Sequence, residues 1–210
     1  FLFLFSACDS MPGGGHDPET IPTLSEVKSV SSITNDNTPN YTFYTDIRGT
    51  ITYTGNCSSN STDAFFGENI ITFNTLEDGT YNNCFIKVTT NYGKSSTLSV
   101  SSFTVDSKAP TISQVSVVDT PTDDTTPSYT FSSTEAGTIT YGGSCSSSTT
   151  SATVDNNTIT FNALSDATYS DCTIQVTDSA SNKSDNLSVT SFTVDTTVPV
   201  LSQVTAVTTP

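Results

Sequence analysis

The chain has 210 residues, one third of them hydrophobic, no tryptophan, and six basic residues against twenty-one acidic ones, for a net charge of −15. That charge repels phosphate backbones and anionic lipid surfaces, which excludes nucleic acid as a partner and leaves two readings of the acidic excess, solubility or attraction of cations. Abundant Ser, Thr, Val and Ile with few Ala, Leu, Lys and Arg favour short strands over long helices, because β-branched side chains lose rotamer freedom in a helix.

The chain begins "FLFLFSAC". An apolar run closing in small residues reads as a processing signal before it reads as a fold element, and it is far shorter than the roughly twenty residues a membrane-spanning helix needs. Residues 1–7 are therefore expected to be the remnant of a signal peptide. Phe5-Ser6-Ala7-Cys8 resembles the lipobox of bacterial lipoproteins, with Phe5 where the pattern usually has Leu. The resemblance implies lipidation of Cys8 and attachment to a membrane through that lipid. Asp9 resembles the inner-membrane retention signal of some Gram-negative lipoproteins. Residues 8–21, rich in Gly, Pro and charge without apolar periodicity, read as a flexible tether.

An internal repeat follows. "PTLSEV" at Pro22, "PTISQV" at Pro110 and "PVLSQV" at Pro199 mark three starts, 88 and 89 residues apart. Between them "TPNYTF" matches "TPSYTF", "NIITFNTLEDGTYNNC" matches "NTITFNALSDATYSDC", and "LSVSSFTVDSKAP" matches "LSVTSFTVDTTVP". Two domains are expected, 22–109 and 110–198, with 199–210 opening a third repeat of a longer array.

Within the first copy, alternating runs bounded by turn residues predict seven strands near 24–30, 40–45, 49–54, 62–66, 69–74, 81–89 and 97–105. Seven short strands in such a length predict an all-β fold of tandem immunoglobulin-like β-sandwiches. The "NDNTP" before the second strand, the "EDGTY" or "SDATY" before the sixth and the closing "FTVD" with "AP" or "VP" resemble bacterial immunoglobulin-like (Big) domains, from Pro22 to the C-terminus. The resemblance implies a tandem-repeat surface protein and carries no single activity with it.

With Cys8 assigned to the lipobox, four of the five cysteines remain. Cys57 is expected to pair with Cys84 and Cys145 with Cys172, each across 27 residues, in a compartment where disulfides persist. In "TITYTGNC" the alternation places Cys57 on the face of Ile51 and Tyr53; in "CFIKV" it places Cys84 with Ile86 and Val88. The third and sixth strands are antiparallel neighbours in an immunoglobulin-like order, so each bridge is expected within one sheet. Tyr81 precedes Cys84 by three residues rather than two, which departs from the spacing of a tyrosine corner. Zinc is the rival use of the thiols, but two cysteines without a histidine supply half a tetrahedral site.

Catalytic chemistry fails on inventory. The single histidine, His16, lies in the tether, and no phosphate loop or helical metal motif is present. Lys87 aligns with Gln175, so no recurring lysine supports internal Lys–Asn cross-links. The expectation is a chain that is not an enzyme and carries no organic cofactor. Asp36, Asp106, Glu135 and Asp178 fall where loops of the expected topology meet between the domains, and carboxylates suit calcium. The alternative is that they are turn-forming residues in a solvated linker.

The functional expectation is an exported, lipid-anchored stalk at the cell surface or envelope, whose repeats hold a distal adhesive region away from the membrane. Proline in the linkers "DSKAP" and "DTTVP" is expected to limit bending. A second reading has the repeats themselves bind a glycan, protein or host-surface ligand, with Tyr44 and Tyr92 as stacking residues in the first copy only. A third makes them accessory modules of a secreted hydrolase.

Overall fold

Alternation along the chain sets the strands and decides which face of each is buried. A computed structural model describes residues 19–202, and every helix or strand assigned among them is a strand. The expectations on residues 1–7, Cys8, His16 and the end of the third repeat lie outside the described residues. The chain divides into two units, the first ending at Asp106 and the second starting at Ser107.

The first unit contains β1 (Leu24–Lys28), β2 (Ile33–Thr34), β3 (Asn40–Thr45), β4 (Gly49–Thr54), β5 (Asp63–Ala64), β6 (Gly67–Thr72), β7 (Gly79–Tyr81), β8 (Phe85–Thr89), β9 (Ser95–Ser99) and β10 (Phe103–Val105). One sheet has the order β1-β3-β6, and the other β5-β4-β8-β9. A smaller ladder, β2-β10-β7, pairs β2 with β10 in parallel. Tyr41 and Phe43 from β3 and Ile71 from β6 meet Ile51 from β4 and Ile86 and Val88 from β8 in one buried cluster, so the two main sheets close a sandwich.

The predicted seven-strand frame is present, with β2 added, the strand expected over 62–66 shortened to β5, and two strands broken. The expected sixth strand, 81–89, is broken into β7 and β8, and the expected seventh, 97–105, into β9 and β10. The register carries through both breaks unchanged: Tyr81 lies opposite Phe103 and Phe85 opposite Ser99. The amide of Val100 donates to the carbonyl of Cys84 at 3.0 Å in between. The pair is thus one bent hairpin whose ladder opens around Cys84.

The second unit repeats the frame with β11 (Ile112–Ser116), β12 (Ser128–Ser133), β13 (Gly137–Gly142), β14 (Ser151–Ala152), β15 (Asp155–Thr160), β16 (Ala167–Tyr169), β17 (Thr173–Thr177), β18 (Leu187–Ser188) and β19 (Phe192–Val194). Its sheets run β11-β12-β15 and β14-β13-β17-β18, with β16 paired to β19. Thr122 bridges Val194 in parallel where the first unit has β2. Tyr129, Phe131, Ile159, Ile174 and Val176 are all but fully buried in its core. In both units a row of rings fills the sandwich: Tyr41, Phe73, Phe103 and Tyr81 in one, Tyr129, Phe161, Phe192 and Tyr169 in the other, with neighbouring centroids 5.2–6.3 Å apart.

Candidate functional site

Each unit carries a disulfide where its bent hairpin opens. Cys57–Cys84 and Cys145–Cys172 are bonded, with Cα atoms 5.3 Å apart in both. All four cysteines are buried. Cys57 is not the last residue of its strand: β4 ends at Thr54, and the chain turns through Gly55 before the cysteine enters the core. Gly55 has φ +87°, and a Cβ there would collide with the Asn83 carbonyl, so only glycine allows the turn to lie against the start of β8. Gly143, with φ +74° and the Asp171 carbonyl in the same relation, repeats the device. The "GNC" and "GSC" of the two copies are therefore one unit: the glycine turns the chain and the cysteine locks it.

Tyr81 makes the hydrogen bond of a tyrosine corner despite its altered spacing. Its hydroxyl donates to the Glu77 carbonyl at 2.8 Å, and that of Tyr169 donates to the Ser165 carbonyl at 3.0 Å. The rings stack on Phe103 and Phe192, which sets the reach of each hydroxyl to the backbone.

Opening the hairpin frees the backbone on the β9–β10 side, and a side chain from the opposite sheet takes it up. Ser101 donates its amide and its hydroxyl to Glu26 on β1, at 3.0 and 2.7 Å. In the second unit Gln114 accepts the Thr190 amide at 3.4 Å and its hydroxyl at 2.8 Å, and also the hydroxyl of Tyr129 at 3.2 Å. Burial pushes the Glu26 carboxyl up, but the hydrogen bonds from Ser101 outweigh it and hold the group below the usual carboxylate range. Burial, with the adjacent Glu26 charge, pushes the Tyr41 hydroxyl strongly upward.

The four carboxylates expected to hold calcium divide between the units. Asp36 forms a local turn, accepting the amide of Thr38 at 2.9 Å and its hydroxyl at 3.2 Å. Asp124 and Thr126 make the same turn in the second unit. Asp106 closes β10, its amide donating to the Thr34 carbonyl at 2.9 Å. In the second unit Asp178 is buried at the end of β17, where it accepts the Asn182 amide at 2.8 Å and the Asn182 side chain at 2.9 Å. Glu135, in the turn between β12 and β13, brings a carboxylate oxygen within 4.8 Å of one from Asp178.

Tyr44 and Tyr92 do not share a sheet face. Tyr44 lies on the outer side of β3, half-buried, with its ring edge-on to Phe66 at 6.3 Å and 67°. Tyr92 stands exposed in the turn between β8 and β9. Sequence reasoning missed the residues that Tyr44 leads to. Phe65 and Phe66 are both exposed, and the Arg48 guanidinium carbon lies 4.9 Å from the centre of the Phe65 ring. The signal was available: adjacent aromatics in "DAFFG" cannot both point into a sandwich, and the second copy reads "SATVD" there.

No family model matches the chain, and no curated protein matches it. Among solved structures, the fibronectin(III)-like modules of Clostridium thermocellum CbhA align over 82% of this chain and 94% of theirs, at 10% identity and a TM-score of 0.41. SGBP-B of the Bacteroides ovatus mixed-linkage glucan utilization locus, in complex with a mixed-linkage heptasaccharide, aligns over 81% of this chain and 46% of its own, at 14% identity and a TM-score of 0.23.

Proposed function

We propose that the chain is the non-enzymatic stalk of an exported surface or envelope protein of bacterial immunoglobulin-like type. It is lipid-anchored at Cys8 and presents a distal binding region. The observation that carries this reading is the repetition of one sealed frame: the same strand order, ring row, glycine turn and disulfide occur in both units. A stalk lengthens by adding copies of a unit that folds around its own core, and both cores here are complete within their own units. Disulfides place the chain in an oxidising compartment in this reading. Asp36 and Asp178 are engaged in their own turns.

Calcium belongs to the proposal for Glu135 and Asp178, whose like charges lie close enough for one hard cation to relieve their repulsion.

Pulling single molecules of the full chain tests the mechanical part of the proposal. Two unfolding events are expected, and the length released in each should rise on reduction by roughly 90 Å, the reach of about 27 extended residues. Release of the same length with and without reductant would contradict a stalk whose units are sealed against extension.

A further inference from the structure

We infer that one end of the first unit is a binding site for a neutral saccharide, built by Phe65, Phe66, Tyr44 and Arg48. This goes beyond the stalk reading, which needs no ligand, and does not rest on it.

The aromatic pair sits on a turn that the fold builds for its own reasons. Buried Asn69 accepts the Phe65 amide at 2.8 Å and donates to the Phe65 and Gly67 carbonyls at 2.8 and 3.0 Å, while Gly67 takes φ +101°. The second unit makes the same turn. Asn157 accepts the Thr153 amide at 2.8 Å and donates to Thr153 and Asp155 at 2.8 and 2.9 Å, and Asp155 has φ +75°. There, however, Thr153 and Val154 stand in place of Phe65 and Phe66, Ser132 in place of Tyr44, and Ala136 in place of Arg48. The frame folds without the aromatics, so they serve something other than the fold.

The first unit keeps Phe65 53% and Phe66 69% exposed on this rigid support. Beside Phe65, a shallow depression is lined by Arg48, Thr50, Asp63 and Asn91, which offer hydrogen-bond donors and acceptors next to an aromatic ring. A sugar ring has apolar C–H faces and a rim of hydroxyls, and this arrangement answers both, with ordering cost reduced because the turn is fixed beforehand.

Size and charge favour a small neutral ligand over the competing occupants. The exposed parts of three aromatic side chains amount to roughly 300 Å², under half of what each partner contributes to a standard protein interface. A second copy brings another −15 of charge. Asp63 and Glu68 on the flanking strands oppose anionic lipid and acidic polymers. An uncharged polyol meets none of these penalties.

Affinity electrophoresis of the full chain through gels containing β-glucan, α-glucan, mannan or galactan tests the site, with pectin as an anionic control. At least one neutral polysaccharide is expected to retard the protein. The double variant F65T/F66V, which installs the second unit's own residues, is expected to weaken that binding at least tenfold while leaving the melting temperature unchanged. Retardation by none of the neutral polymers overturns the inference, as does binding that survives F65T/F66V. So does binding confined to pectin or to phosphatidylglycerol vesicles, or a dimer in ultracentrifugation that the double variant abolishes.

Discussion

Glu26 accepts both the amide and the hydroxyl of Ser101, 75 residues away, at the point where the hairpin ladder opens. A side chain of one sheet thereby replaces a backbone bond missing from the other, so the amide freed by the break keeps a partner within the protein. The second unit does the same with a neutral amide, Gln114.

The two solutions differ in their response to acid. The folded Glu26 carboxyl titrates below its unfolded value of about 4.5, so its contribution is present above that value and is lost as pH falls through the lowered folded value. Glu26→Gln is expected to cost on the order of 0.5–1 kcal/mol at pH 7, because a charge-assisted bond becomes a neutral one on a partly exposed group. The difference from the parent should narrow as pH falls below about 4.5. Thermal melts of both proteins from pH 7 to pH 3 check this, and a constant gap between them would contradict it.

Gly55 and Gly143 are expected to reject any side chain. Gly55→Ala places a Cβ against the Asn83 carbonyl in a backbone region that L-residues avoid, at a cost on the order of 3 kcal/mol to the first unit. Because the turn also delivers Cys57 to Cys84, the variant should carry more free thiol after oxidative refolding. Thiol titration beside a melt measures both effects, and Gly93→Ala, with open space around it, is the control for a positive-φ glycine without the collision.

Removing one bridge with Cys57→Ser and Cys84→Ser relaxes a loop of 27 residues in the unfolded chain, worth about 3.5 kcal/mol. Since each unit has its own core, only the first is expected to lose this stability. Urea unfolding should then show two separated transitions, one of them unmoved from the parent protein.

Calorimetry of the full chain with millimolar calcium is expected to give heat that Glu135→Gln abolishes. That variant leaves the Asp178–Asn182 turn in place and removes the close like charge. No heat with the parent protein would return both carboxylates to the role of turn-forming residues.

Much of the frame was legible because its signals are local. The bounds of β3 and β4 follow from alternation between turn residues, and the cysteine pairs follow from spacing and face. What was illegible depends on distant partners. The break does leave a local mark, since the inward phase slips between Tyr81 and Cys84 and between Val100 and Phe103; what could not be read there is the partner, Glu26, far back on β1. Cys57 was placed on a strand because alternation runs on formally through Gly55, whose left-handed backbone ends it. Among candidate ligand residues, Tyr44 was chosen for its position outside the sandwich. Phe65 and Phe66 were read as part of a strand over 62–66, although the pairing ends at Ala64 and the two phenylalanines enter the turn held by Asn69.

The stalk reading is tested most directly on cells carrying the intact N-terminal sequence, an epitope after residue 210, and zero, one or two of the units. Antibody access to the epitope on whole cells is expected to rise with the number of units, and an unrelated sandwich of equal length should restore it where a unit is deleted. Serine at Cys8 should release the protein from the membrane fraction. Equal access without the units, or rescue by the native units alone, would contradict the account.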